Sequence, residues 1–107
     1  MEALPAPDRP TGDLDDRPLT LSLDIGGTGL KATVLDAHGR MVVPRARVPT
    51  PHPCPPDRLM SELVGLAATL PAADRVSIGF PGLVRHGRVF TAPHLGTEDW
   101  AGFPLET

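Results

Sequence analysis

Asp24-Ile25-Gly26-Gly27-Thr28-Gly29-Leu30-Lys31 is the stretch on which the fold turns. Before it, Leu19, Leu21, Leu23 and Ile25 alternate with Thr20, Ser22 and Asp24, the period of a strand with one apolar face. After it, Leu30, Ala32 and Val34 alternate with Lys31 and Thr33, which reads as a second strand. The glycines between them form a turn, and Asp24 falls on the polar phase at the end of the first strand. Adjacent glycines let backbone N–H groups converge with no Cβ in the way, and such a nest binds phosphate oxygens. Thr28 adds a hydroxyl and Lys31 a positive charge. Asp24 would repel a bare phosphate but suits a hydrated Mg²⁺ beside one, because Mg²⁺ keeps several of its waters. Spacing alone leaves a plain hairpin turn equally open; the strand-ending Asp, the double Gly, the Thr and the following Lys together favour the nest.

Two better-known glycine loops are excluded. A Walker loop needs Gly-Lys followed by Ser or Thr, whereas Leu30 precedes Lys31 and Ala32 follows it. A dinucleotide fingerprint needs a helix after the glycines, and here the residues that follow alternate like a strand.

Outward from this hairpin, Ala37-His38-Gly39 reads as the next turn and Met41 to Val48 as a third strand, with Pro44 marking an edge or a bulge. Residues 49–56 hold five prolines and read as an extended connection. Leu59, Leu63, Leu66, Ala67 and Leu70 then recur at helical spacing, with Met60 and Val64 beside them. Pro55 and Pro56 fit the first turn of that helix, Asp57 suits its positive end, and Pro71 stops it. Val76, Ile78 and Phe80 alternate in a fourth strand, broken by Pro81-Gly82, and residues 83–90 read as a small hairpin. A helix between strands three and four permits a right-handed parallel crossover. Residues 1–18, rich in Pro and Asp without apolar period, read as a disordered tail. Residues 91–107 are irregular, with Trp100, Phe103 and Leu105 as anchors.

The 107 residues amount to one domain or less, and the formal charge of −3 leaves no basic footprint for nucleic acid. No apolar run is long enough to span a membrane, and the N-terminal residues do not read as a secretory leader, so the expected location is the cytoplasm. Cys54 is the lone cysteine, which excludes an internal disulfide and a Cys-based zinc site. The 14 prolines, roughly 13% against an average of about 5%, and the excess of arginine read as genome-composition bias. Lys31 is the one lysine of the chain, and it stands inside the glycine motif. His38 and His86 precede glycines and read as exposed turn residues. His52 and Cys54 are too few to make a metal site. Trp100 reads as a core anchor, and Arg45 and Arg47 as a solvated strand face.

The segment Asp24–Lys31 resembles the first phosphate motif of the ROK sugar kinases (repressor, open reading frame, kinase). Val48-Pro49-Thr50-Pro51-His52-Pro53 resembles the connection after strand three in polyphosphate glucokinases. Gly79-Phe80-Pro81-Gly82-Leu83-Val84 with Gly87 and Val89 is similar to the family's sugar-side segment, and Trp100 with Phe103-Pro104-Leu105 to the stretch after it. The four motifs stand in the family's order over residues 19–107. The resemblance implies an α/β fold: the N-terminal subdomain of an actin-like (ribonuclease H-like, ASKHA) domain, with a mixed sheet, an antiparallel meander, one main helix and a small hairpin. It also implies phosphoryl transfer to a hexose such as glucose, with Mg²⁺ and either ATP or polyphosphate as donor. Asp24, Gly26, Gly27, Thr28, Gly29 and Lys31 would face the donor phosphates, with Asp24 on Mg²⁺ through water. Phe80, Pro81 and Gly82 would line the sugar side. Many ATP-dependent members carry a larger residue where this chain has Gly29, which tilts the donor towards polyphosphate.

The catalytic base of that family is an Asp in an Asn-Asp pair, and this chain contains no Asn. No catalytic residue is therefore assigned, and the subdomain reads as incomplete before the catalytic strand. With Val76, Ile78 and Phe80 losing cover, aggregation or a homodimer through that sheet edge is expected. Two other functions are open to this sequence. One is a non-catalytic fragment that binds phosphate or a partner chain. The other, a ROK transcriptional regulator, needs a helix-turn-helix, for which the 23 residues before Asp24 are too few and too rich in Pro and Asp.

Overall fold

The computed structural model describes residues 9–80, 83–85 and 88–91 and residues 100, 102 and 104. The elements run β1 (Thr20–Ile25), β2 (Gly29–Leu35), β3 (Ala46–Pro49), α1 (Pro56–Ala67), β4 (Arg75–Gly79), β5 (Leu83–Arg85) and β6 (Arg88–Thr91). Four strands make one sheet in the order β3-β2-β1-β4, and β5 and β6 make a separate hairpin. β1, β2 and β3 form the expected antiparallel meander. β4 returns parallel to β1 after the helix.

The alternation along the strands divides the sheet into two faces. Leu21 pairs with Val34, Leu23 with Ala32 and Ile25 with Leu30, so one face is apolar throughout. α1 covers this face with Leu59, Leu63 and Leu66, three residues at helical spacing that are all buried. Cys54 and Trp100 complete the core cluster, and Phe80 packs at its margin. Val64, expected beside the buried stripe, instead lies 68% exposed. The helix starts on prolines, with Pro55 as its N-cap in extended conformation and no side-chain cap. Pro56 needs no hydrogen-bond partner for a missing N–H, and Asp57 sits by the positive end of the dipole. At the other end the hydroxyl of Thr69 donates to the Leu66 carbonyl at 2.7 Å, ahead of Pro71.

The third strand is shorter than expected. Met41 makes a single bridge to Leu35, and regular pairing starts only at Ala46. Pro44, which has no N–H to give, stands in the interrupted stretch. Thr33 and Val34 hold that stretch to β2 through Thr33 Oγ1 to Val43 O at 3.1 Å and Val42 N to Val34 O at 2.9 Å. β3 is nonetheless the edge strand that Pro44 suggests.

Residues 9–18 also depart from the sequence reading. The amides of Thr11 and Gly12 donate to the Met41 carbonyl, and the Asp13 amide donates to the buried carboxylate of Asp36. Arg17 pairs with Asp74 at 2.6 Å. A composition poor in apolar residues gives no hint of these partners, because the contacts are polar and reach far along the chain. Residues 1–8 lie outside the described residues. Among the described residues no helix is long and apolar enough to cross a membrane.

Candidate phosphate-binding site

The polar face of the sheet, opposite α1, carries the residues the glycine motif singled out. Register sets them in a row across four strands: Gly79 beside Asp24, Asp24 beside Lys31, and Lys31 beside Arg47. Asp24 is exposed. A Cβ at Gly79 would lie 3.5 Å from its Oδ1, so the carboxylate rests over the small residue of the neighbouring strand. The Asp24 carboxylate has no hydrogen-bond or ion-pair partner among the described residues. Ser22, Asp24, Lys31, Thr33, Arg45 and Ser77 contribute to the lining of an open concavity of about 600 Å³ on this face.

Gly26, Gly27 and Thr28 join β1 to β2 at the carboxyl end of β1, as a turn between strands with no helix after it. The expected nest of converging N–H groups does not include Gly26. Its N–H turns into the loop and donates to the Gly29 carbonyl at 3.0 Å. The same closeness leaves no room for a side chain, since a Cβ on Gly26 would stand 2.8 Å from that carbonyl oxygen. The amides of Gly27 and Thr28 have no hydrogen-bond partner among the described residues, so two donors are left for an anion. Gly29 has space: a Cβ there would meet only the Val48 carbonyl, at 3.8 Å.

One residue of this loop's support was not singled out for it. Thr50, at the end of β3, is buried; its hydroxyl donates to the Gly26 carbonyl at 2.7 Å and its amide to the Thr28 carbonyl at 3.2 Å. Within the extended connection read over residues 49–56, Thr50 carries no sequence signal of this role, because the contact spans 24 positions of sequence.

The sugar-side residues are only partly placed. Phe80 is half-buried, with its ring centroid 5.1 Å from that of Trp100 and the planes at 54°. It therefore helps close the core. Pro81 and Gly82 lie outside the described residues, as do His86, Phe103 and Leu105. Trp100 is fully buried and its indole N–H donates to the Cys54 carbonyl at 2.7 Å, the core anchor the sequence suggests.

A second polar cluster lies towards the opposite end of the sheet, where Asp16, Asp36 and His38 approach one another. Asp36 is buried and accepts the N–H groups of Asp13, His38 and Arg40 and the Nε of Arg40. The Arg40 amide does most to hold its carboxyl down at about 2, against the upward push of burial; the other two amides and the Arg40 guanidinium add to it. With its oxygens so engaged, the cluster ties the turn after β2 to residues 13–16.

A family model described as the ROK family matches residues 20–107. N-acetylmannosamine kinase of Escherichia coli (strain K12) is 39% identical over 77 residues, which is 70% of this chain and 26% of that protein. The chain thus spans about a quarter of the length of the curated relatives it matches. Among solved structures, the inorganic polyphosphate/ATP-glucomannokinase from Arthrobacter sp. strain KM superposes with a TM-score of 0.75 at 30% identity, over 84% of this chain and 38% of that one. A ROK family glucokinase from Streptomyces griseus, solved in complex with glucose and AMPPNP, gives a TM-score of 0.65 at 34% identity, over 82% of this chain and 28% of the other. The partial sheet and helix described above are the arrangement with which these actin-like sugar kinases share their fold.

Proposed function

The chain belongs to the ROK family, and on that premise we propose that it forms the N-terminal part of a ROK-type hexokinase or glucokinase. That enzyme transfers a phosphoryl group from ATP or polyphosphate to glucose or a related hexose. The observation that carries this reading is the glycine turn itself: two amides without partners among the described residues, Gly27 and Thr28, at the carboxyl end of β1, with Asp24 and Lys31 as neighbours in strand register beside them. Kinetically, phosphoryl transfer asks for positioning and neutralisation of charge on the transferred group. Two amides left without partners and a lysine supply donors and positive charge. An unpaired, exposed carboxylate next to them is a ligand for a hydrated cation.

Mg²⁺ fits this donor set, with Asp24 holding it through water, and when bound it offsets the charge of the phosphates. The remaining work falls to the chain's own groups. Gly27 and Thr28 orient phosphate oxygens, and Lys31 balances the charge that the Asp24 carboxylate would otherwise repel. The room at Gly29 leaves the turn open to a chain of phosphates, which favours polyphosphate as the donor. General-base assistance is worth about 10²–10⁴-fold. The Asn-Asp pair implied for that base is not among these 107 residues, none of which is an asparagine.

The test is a fusion in which residues 19–107 replace the matching segment of the Streptomyces griseus glucokinase. Hexose phosphate should form with ATP or polyphosphate, and Gly27→Val should block donor binding because its side chain would intrude on the phosphate. A folded fusion without activity on any hexose would sink the proposal. The 107-residue chain by itself should form no hexose phosphate.

A further inference from the structure

Thr50 lies outside the stretch that points to phosphate, yet its hydroxyl and its amide both donate to that stretch. Its hydroxyl holds the Gly26 carbonyl and its amide holds the Thr28 carbonyl. In a trans peptide the carbonyl and the following N–H point in opposite directions, and the Gly26–Gly27 bond is not among the cis bonds of the chain. Drawing the Gly26 carbonyl inward to a residue only 5% exposed therefore turns the Gly27 N–H away from the interior. The preceding peptide is fixed as well, since the Gly26 amide is bound to Gly29. Of the peptide planes in the turn, only that between Gly27 and Thr28 is left without an internal hydrogen bond.

We propose that Thr50 is a positioning residue for the phosphoryl donor: from the end of β3 it sets the peptide plane that presents the Gly27 amide to phosphate. The inference rests on the phosphate reading of the turn given above. Thr50 also begins the connection that carries Cys54, whose carbonyl accepts the Trp100 indole N–H, and then α1. The turn is thereby fastened to the packed core, and its donor geometry is set before any ligand arrives.

The experiment titrates the ¹⁵N-labelled 107-residue chain with tripolyphosphate and follows the amide resonances. In the unaltered chain the Gly27 amide should shift on binding, while the Gly26 amide, already committed to Gly29, should stay nearly still. Thr50→Val, which keeps the shape and removes the hydroxyl, should weaken binding roughly five- to tenfold, the effect of one net hydrogen bond. Thr50→Ser should restore it. Thr20→Val serves as control, for it removes another buried hydroxyl, one that accepts from Arg75 Nε at the far end of β1; it should leave the affinity unchanged. Equal losses in Thr20→Val and Thr50→Val, or none in Thr50→Val, overturn the inference while leaving the phosphate reading standing. A Gly26 shift with Gly27 unmoved overturns it without recourse to any variant. No binding by the unaltered chain overturns both.

Discussion

At the scale of single residues, Gly26 and Gly29 do different jobs within one motif. Gly26 is required by contact, because any side chain would meet the Gly29 carbonyl at 2.8 Å. Gly29 is not, since a methyl there makes an ordinary contact of 3.8 Å. Gly26→Ala should therefore lower the melting temperature and abolish tripolyphosphate binding, whereas Gly29→Ala should leave the melting temperature unchanged; melting curves of the two variants, with a titration of Gly26→Ala, check this. Asp36 governs the acid limb. Its folded-state carboxyl titrates at about 2, below the ordinary value of about 3.9, so the unfolded chain takes up the proton first. The stability this gives is complete above pH of about 4 and drains away as the pH falls towards 2. Asp36→Asn should flatten that part of the stability-pH curve measured by denaturant unfolding.

At the scale of elements, α1 shows what periodicity can and cannot carry. Leu59, Leu63 and Leu66 are buried as their spacing demands, and Leu59→Ala should cost about 2–5 kcal/mol of stability. Val64, one position from the stripe, is exposed, so Val64→Ala should change stability by less than about 0.5 kcal/mol. Chemical denaturation of both variants separates the two positions. The strands of the meander were legible because their alternation is strict from Leu19 to Val34. The start of β3 was not, because Pro44 interrupts a run whose side chains still look strand-like. The site was legible where its residues are contiguous, in Asp24 to Lys31. Its support by Thr50 was hidden, as was the clamp of Asp74, whose carboxylate accepts the Leu19 amide at 2.8 Å while its own amide donates to the Leu19 carbonyl at 2.9 Å. Such polar pairings leave no periodic trace; only the folded backbone brings them together.

At the scale of the whole molecule, the two faces of the sheet are unequally covered. Val76 and Ile78 belong to the apolar face by register with Leu21 and Leu23, yet they are 57% and 40% exposed. β4 is the last strand of the sheet, and among the described residues nothing pairs with its outer edge. An apolar, unpaired edge invites association. The 107-residue chain should therefore self-associate in sedimentation experiments, and Ile78→Lys should shift it towards the monomer. A monomeric unaltered chain would show that this edge is protected. The mixed pairing around β1 also bears on the order of assembly. β1 meets β2 across three residues, but meets β4 only after roughly fifty, and loop-closure entropy grows with that separation. The hairpin has the shorter search and should belong to the folding nucleus, while β4 docks late. Substitutions at Leu23 or Ala32 should then slow refolding, whereas loss of the Asp74 clamp should chiefly hasten unfolding. The turn that gathers amides for an anion would on this account be built first, so the motif that defines the chemistry also starts the chain on its way to the native state.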